Sequence, residues 1–97
     1  MAYLTHSNGE QLTQTKAKAL ANFNEVVADR AEIDAAELIL NFGGMGLPAF
    51  RDACRANFVK INTDVAGLTL EVIDDGDMLW SVRDKLNVNF GEIDAAA

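Results

Sequence analysis

The same spacing of residues recurs three times in this chain, and a repeat of that length decides what the fold must be built from. Counting from a phenylalanine, each copy has Gly at minus 14, Leu at minus 11, a cation at minus 7, Asn at minus 1 and a β-branched aliphatic at plus 3. The first copy is Gly9, Leu12, Lys16, Asn22, Phe23 and Val26. The second is Gly44, Leu47, Arg51, Asn57, Phe58 and Ile61, and the third is Gly76, Leu79, Arg83, Asn89, Phe90 and Ile93. Phe23, Phe58 and Phe90 set a period of 32 to 35 residues. A period of this size marks one supersecondary unit that cannot bury its own apolar face and so stacks on its neighbours.

Each copy carries an apolar stripe at minus 11, minus 8, minus 4, 0, plus 3 and plus 7. Thr15 and Arg30 interrupt the first stripe; the second reads Leu47, Phe50, Cys54, Phe58, Ile61 and Val65. Spacings of three and four predict amphipathic helices that pack nearly straight. Helix signals begin near Glu10, and the first helix is expected to run through Arg30 to about Ala35. Pro48 falls in the first turn of the second helix, where it is tolerated, and Gly67 is a plausible stop. Asp74, Asp75, Gly76 and Asp77 read as a turn feeding an N-cap.

Short β-prone runs precede the helices. Leu68, Leu70 and Val72 alternate with polar residues, Leu38 to Phe42 occupies the equivalent place before repeat two, and Tyr3 to Thr5 opens the chain. The expected fold is therefore mainly α with short β. It comprises three strand–turn–helix repeats, at about 1–35, 36–66 and 67–97, forming one domain with a pseudo-threefold three-helix bundle and short strands. A helix of roughly 20 residues is ~30 Å long, and roughly 10 extended residues reach ~33 Å. An extended return can thus start every helix at the same end. The axis relating the helices lies either within one chain or between three chains of a homotrimer.

Phe23, Phe58 and Phe90 are expected to form one core layer, with Leu12, Val26, Leu47, Ile61, Leu79 and Ile93 as further core or interface positions. Asn22, Asn57 and Asn89 lie at the edge of the seam, where an amide can bond a neighbouring helix and set register. Lys16, Arg51 and Arg83 read as snorkelling stems or partners of acidic neighbours. Cys54, the single cysteine, excludes an internal disulfide and falls on the stripe as a small buried hydrophobe. His6 is expected at the surface.

No catalytic constellation, cofactor site or metal cluster is visible. The acids around Gly76 lack the bidentate acid of a calcium loop six residues on, where Val82 stands. Gly43, Gly44 and Gly46 are not followed by the Lys and Ser/Thr of a phosphate loop. A net charge of −7 without a basic stripe argues against nucleic acid as a partner. Neither a secretory signal nor a membrane span is expected from the apolar pattern.

The third repeat resembles a segment of tailed-bacteriophage fibre, neck and tail virion proteins. That segment reads roughly Gly-Asp-x-Leu-Arg, then Lys-hydrophobic-Asn-x-Asn-Phe-x-Glu-Leu. Here Gly76-Asp77-Met78-Leu79 is followed by Lys85-Leu86-Asn87-Val88-Asn89-Phe90-Gly91-Glu92-Ile93. Repeat one keeps Lys18 and Glu25 but has Leu20 at the first Asn position, and repeat two lacks the Lys and the first Asn. The resemblance implies a strand, a turn and a trimerising helix. It also implies a non-enzymatic virion structural protein made in a host cytoplasm, with other virion proteins of fibre, neck, tail or capsid as partners. Such proteins usually carry one segment per chain, whereas this chain carries three. A head-decoration (cement) protein and a small acidic inhibitor of a host factor are the alternative expectations.

Overall fold

The computed structural model describes residues 3–96. The described residues form three α-helices of nearly equal length: α1 (Leu12–Asp29), α2 (Leu47–Asp64) and α3 (Leu79–Ala95). A single 3-10 turn, Ala35–Glu37, lies between α1 and α2. All three helices begin at the repeat's Leu, two residues after a turn in which an N–H three residues on bonds back to a carbonyl. These turn bonds are Glu10 to Ser7, Met45 to Phe42, and Asp77 to Asp74. Gly9 and Gly44 hold φ values of 82° and 78° within their turns, a region closed to most L-residues.

The expected strands are absent: no β-strand occurs among the described residues, and the fold is all-helical. Residues 3–6, 38–42 and 68–73 lead into the turns as extended chain, but none pairs with another. The physical reason is their placement. Each lies in the groove between two helices, so a helix separates it from the other two extended segments. Other boundaries also move. α1 stops at Asp29 rather than near Ala35, with Arg30 already extended at φ −119°, ψ 105°. α2 stops at Asp64, before Gly67, whose φ of 88° makes the turn beyond it. Met78, not an aspartate, is the N-cap of α3. Pro48 does sit in the first turn of α2.

Phe23, Phe58 and Phe90 meet in a triangle with ring centroids 5.0, 5.1 and 5.3 Å apart. The helices run in parallel, since Lys16, Arg51 and Arg83, each in the second turn of its helix, bond main-chain carbonyls two residues before the start of another helix. Val26, Ile61 and Ile93 are buried one turn further on. One turn before the rings, Leu86 faces the smaller Ala19 and Cys54 in equivalent positions, and the turn before that combines Phe50 with Thr15 and Val82. All six are buried, so a large side chain from one helix is matched by smaller ones from the others, as dense packing requires. Leu12, Leu47 and Leu79 are half-buried at the rim. Tyr3 stacks on Phe90 at 5.7 Å, and Phe42 packs edge-on against Phe50 at 5.1 Å.

Truncation of a ring in the triangle leaves a void that two rigid helices cannot close. Phe90→Ala is expected to lower the unfolding free energy by about 3–5 kcal/mol in urea denaturation. Phe50→Ala removes the one large side chain of a layer whose other members are Thr15 and Val82, and should cost a comparable amount.

Candidate functional site: the segment grooves and the bundle surface

Each extended segment has main-chain polar groups beneath the surface and no strand beside it. Such groups must be bonded or the fold loses the cost of their desolvation. The repeat's Asn supplies the partner. The Asn22 oxygen accepts from the Leu4 N–H at 2.7 Å, and its NH2 donates to the Leu4 carbonyl at 2.8 Å. Asn57 grips Ile39 in the same way at 2.7 and 2.9 Å, and Asn89 grips Glu71 at 2.7 and 3.0 Å. A primary amide offers the acceptor and donor that a neighbouring strand would offer. The three Asn residues are at most 1% exposed. They bond the segment of their own repeat rather than a neighbouring helix.

The preceding helix, taken cyclically, holds the other flank of two segments. Asn87 of α3 grips His6 through both N–H and C=O at 2.7 and 2.9 Å, and Arg55 Nε of α2 donates to the Ile73 carbonyl at 2.5 Å. The equivalent residue on α1 is Leu20, which has no polar group to offer. Segment one therefore lies between α1 and α3, and segment three between α3 and α2.

The recurring cations do something the sequence reading did not assign them. Lys16 Nζ donates to the Met45 carbonyl at 2.9 Å, Arg51 to Asp77 at 3.1 Å, and Arg83 to Glu10 at 2.6 Å. Each acceptor lies two residues before the next helix. The three bonds thus tie α1 to the start of α2, α2 to the start of α3, and α3 back to the start of α1, closing a ring at one end of the bundle.

A second polar pair occurs in two repeats. Lys18 Nζ lies 2.5 Å from Glu10 and donates to the Thr5 carbonyl at 3.0 Å. In repeat three, Lys85 lies 2.7 Å from Asp77 and donates to Val72 at 2.8 Å. In repeat two both members change together, to Met45 and Ala53. The Asp77 carboxylate also accepts from the Asp74 N–H at 2.8 Å and from Ser81 Oγ at 3.1 Å. A lysine ammonium therefore occupies the centre of this acidic turn. Among the described residues no group of three or more His, Cys, Asp or Glu side chains is placed to hold a metal ion.

His6 is buried, at 4% exposure, and not at the surface as expected from sequence. Its Nδ1 is 2.9 Å from Glu10 Oε1, to which Thr15 Oγ1 also donates at 2.9 Å. Burial pushes the His6 pKa below its ordinary 6.5, against the pull of Glu10. Burial opposes ionisation of Glu10 too, yet bonds from Lys18, His6, Thr15 and the Ser7 N–H hold its carboxyl at about 2. Lys85 holds the Asp77 carboxyl below its usual value. Burial raises the pKa of the Tyr3 hydroxyl to about 12, with Asp29, Asp94 and Glu25 adding to the rise. The Cys54 thiol is fully buried and its pKa raised by desolvation, so it carries no thiolate.

The outer surface carries several large apolar side chains: Val59, Val72, Met78 and Trp80 are each about 60% exposed. No helix among the described residues is long and apolar enough to cross a membrane. Comparison with models of protein families, with curated proteins and with solved structures found no match.

Asn57→Ala should leave the Ile39 N–H and carbonyl without partners and cost about 1–3 kcal/mol in chemical denaturation. Three groups make the fold acid-sensitive in the same direction. The unfolded chain takes up protons on Glu10 near 4.5, whereas the folded chain resists until about 2, so that stabilisation is complete above 4.5 and lost as pH falls toward 2. Asp77, whose pKa is depressed from 3.8, adds to the loss. His6 stays neutral in the fold below 6.5, so its contribution begins to fall there. The urea midpoint should decline steadily below pH 7, stay flat above it, and fall again where the Cys54 thiol and the Tyr3 hydroxyl of the unfolded chain ionise, from their ordinary values of 9.0 and 10.0 upward. Replacement of Glu10 by Gln should flatten the lower part of that profile.

Proposed function

We propose that this chain is a non-enzymatic structural protein of a tailed-phage virion, an adaptor or attachment module associated with the neck, tail or fibres. It acts as a ready-made threefold unit. The observation that carries this reading is the closure of three copies of the repeat, the third of which resembles the virion segment, on one another within a single chain, through the Phe triangle and the ring of cation–carbonyl bonds. A unit of this kind offers a threefold partner three similar faces, while its unequal loops allow contact with a surface of different symmetry.

The test is stoichiometry. A tagged chain mixed with the trimeric fibre or neck proteins of the phage that encodes it should be recovered as one chain per trimer, and the chain should cosediment with purified virions. Recovery only in the soluble fraction of infected cells, with no virion protein bound, would overturn the proposal.

A further inference from the structure

The outer faces of the three helices can be compared position by position, and they differ in what a second copy would meet. On each helix the residues at minus 6, minus 2 and plus 2 from the core Phe lie four apart and so on one face. They are Ala17, Ala21 and Glu25 on α1, Asp52, Ala56 and Lys60 on α2, and Asp84, Val88 and Glu92 on α3. In every set the first two are exposed and the third is half-buried. A twofold axis through the middle residue lays two copies of a helix antiparallel and brings minus 6 of one against plus 2 of the other. For α3 that meeting is Asp against Glu, and for α1 it is Ala against Glu. For α2 it is Asp against Lys, on both sides of the axis.

The rest of the α2 face suits the same contact. Ala56, at the axis, is small enough to let two helices approach closely. Val59 stands beside it, 58% exposed, where α1 has Asn24 and α3 has Gly91. It lines a cleft together with Val72 of the third extended segment, itself 60% exposed. Asp52 is only weakly engaged, 3.4 Å from Arg55, whereas Arg55 lies 2.5 Å from Asp75. Lys60 is held by Glu37, and by Asp64 at 3.4 Å, so its ammonium is positioned before a second copy arrives.

We infer that the outer face of α2 is a self-association surface, and that its occupant is α2 of a second copy, running antiparallel across a twofold axis at Ala56. The same residues serve both sides, as an isologous contact requires. Val59 and Val72 supply apolar area. The Asp52 and Lys60 charges select the face and its register, because exposed ion pairs add little attraction while like charges set against each other exclude a wrong pairing. In a chain of net charge −7, this is the helix face on which two acidic molecules meet opposite charge. Opposite helix ends also come side by side, which the macrodipoles favour. This inference concerns self-association and stands whether or not the virion reading does.

Sedimentation velocity of the full chain up to millimolar concentration tests it. The expected species is a dimer of twice the 10.5 kDa chain mass, dissociating on dilution. Ala56→Glu sets two carboxylates at the axis and should weaken the dimer about tenfold or more. Asp52→Lys and Lys60→Glu should each give monomer alone. An equal mixture of those two should dimerise, since it restores one Asp52–Lys60 pair and reverses the charges of the other. Trp80→Ala, on the outer face of α3, should leave the dimer unchanged. Ala56 and Asp52 are exposed, so helical circular dichroism should be unchanged by either substitution. A chain that stays monomeric at millimolar concentration overturns the inference. So does a dimer that Ala56→Glu leaves intact, or a mixture of the two folded charge variants that associates no more than either alone.

Discussion

The extended segments set the constraint on which the rest of this structure depends: three stretches of chain must lie in the grooves of a helical bundle, and a helix keeps each from pairing with the next. Their main-chain groups still need partners, and the side-chain amides of Asn22, Asn57 and Asn89 supply them. The separation of 18 residues in all three cases follows from geometry. A strand-like segment advances ~3.3 Å per residue and a helix ~1.5 Å. A few extended residues and a turn therefore bring the segment opposite a point about ten residues into its helix. The Asn next to the core Phe is buried for the same reason that it is bonded, since the groove floor is the seam between helices.

Parallel helices place like ends side by side, an arrangement that macrodipoles alone do not favour. At the helix-start end the Glu10 and Asp77 carboxylates supply the negative charge that helix N-termini favour, and hydrogen bonds from the recurring cations tie the helices together there. Each of Lys16, Arg51 and Arg83 crosses to the turn that launches the next helix, so the register of one helix is transmitted to the start of its neighbour. The ring also closes where the chain does not: Arg83 on α3 reaches Glu10, joining the last repeat to the first. Core packing uses the freedom that a single chain has and a true trimer lacks. Layers such as Thr15, Phe50 and Val82 mix sizes, which identical subunits could not do.

Departures from symmetry concentrate the differences between faces. Glu10 and Asp77 are each bonded to a lysine and to the turn below, and their carboxyls are held well below the usual range. Repeat two replaces this with Met45 and Ala53, and its segment lies beside an apolar Leu20. A bundle whose interior is nearly threefold thus has one face that lacks the lysine–carboxylate pair of the other two.

The repeat spacing was enough by itself to specify three equivalent helices with Phe23, Phe58 and Phe90 at their common centre, because the period of an apolar stripe reflects the helix and nothing else. Extended returns of sufficient length pointed to the parallel arrangement on the same local grounds. Whether Leu38 to Phe42 and Leu68 to Ile73 become strands was not legible, because alternation reports an extended chain with one buried side, not what lies beside it. Tertiary structure put helices there, and Asn amides took the place of strands. The paired loss of Lys and acid in repeat two was visible in the alignment of the copies, at minus 5 and minus 13 from each Phe. Its meaning was not, since a lysine's partner is set by which turn the bundle brings within reach. His6 shows the same limit: a lone histidine in a short polar stretch reads as surface, and only the groove between α1 and α3, with Glu10 and Asn87 on its walls, buries it.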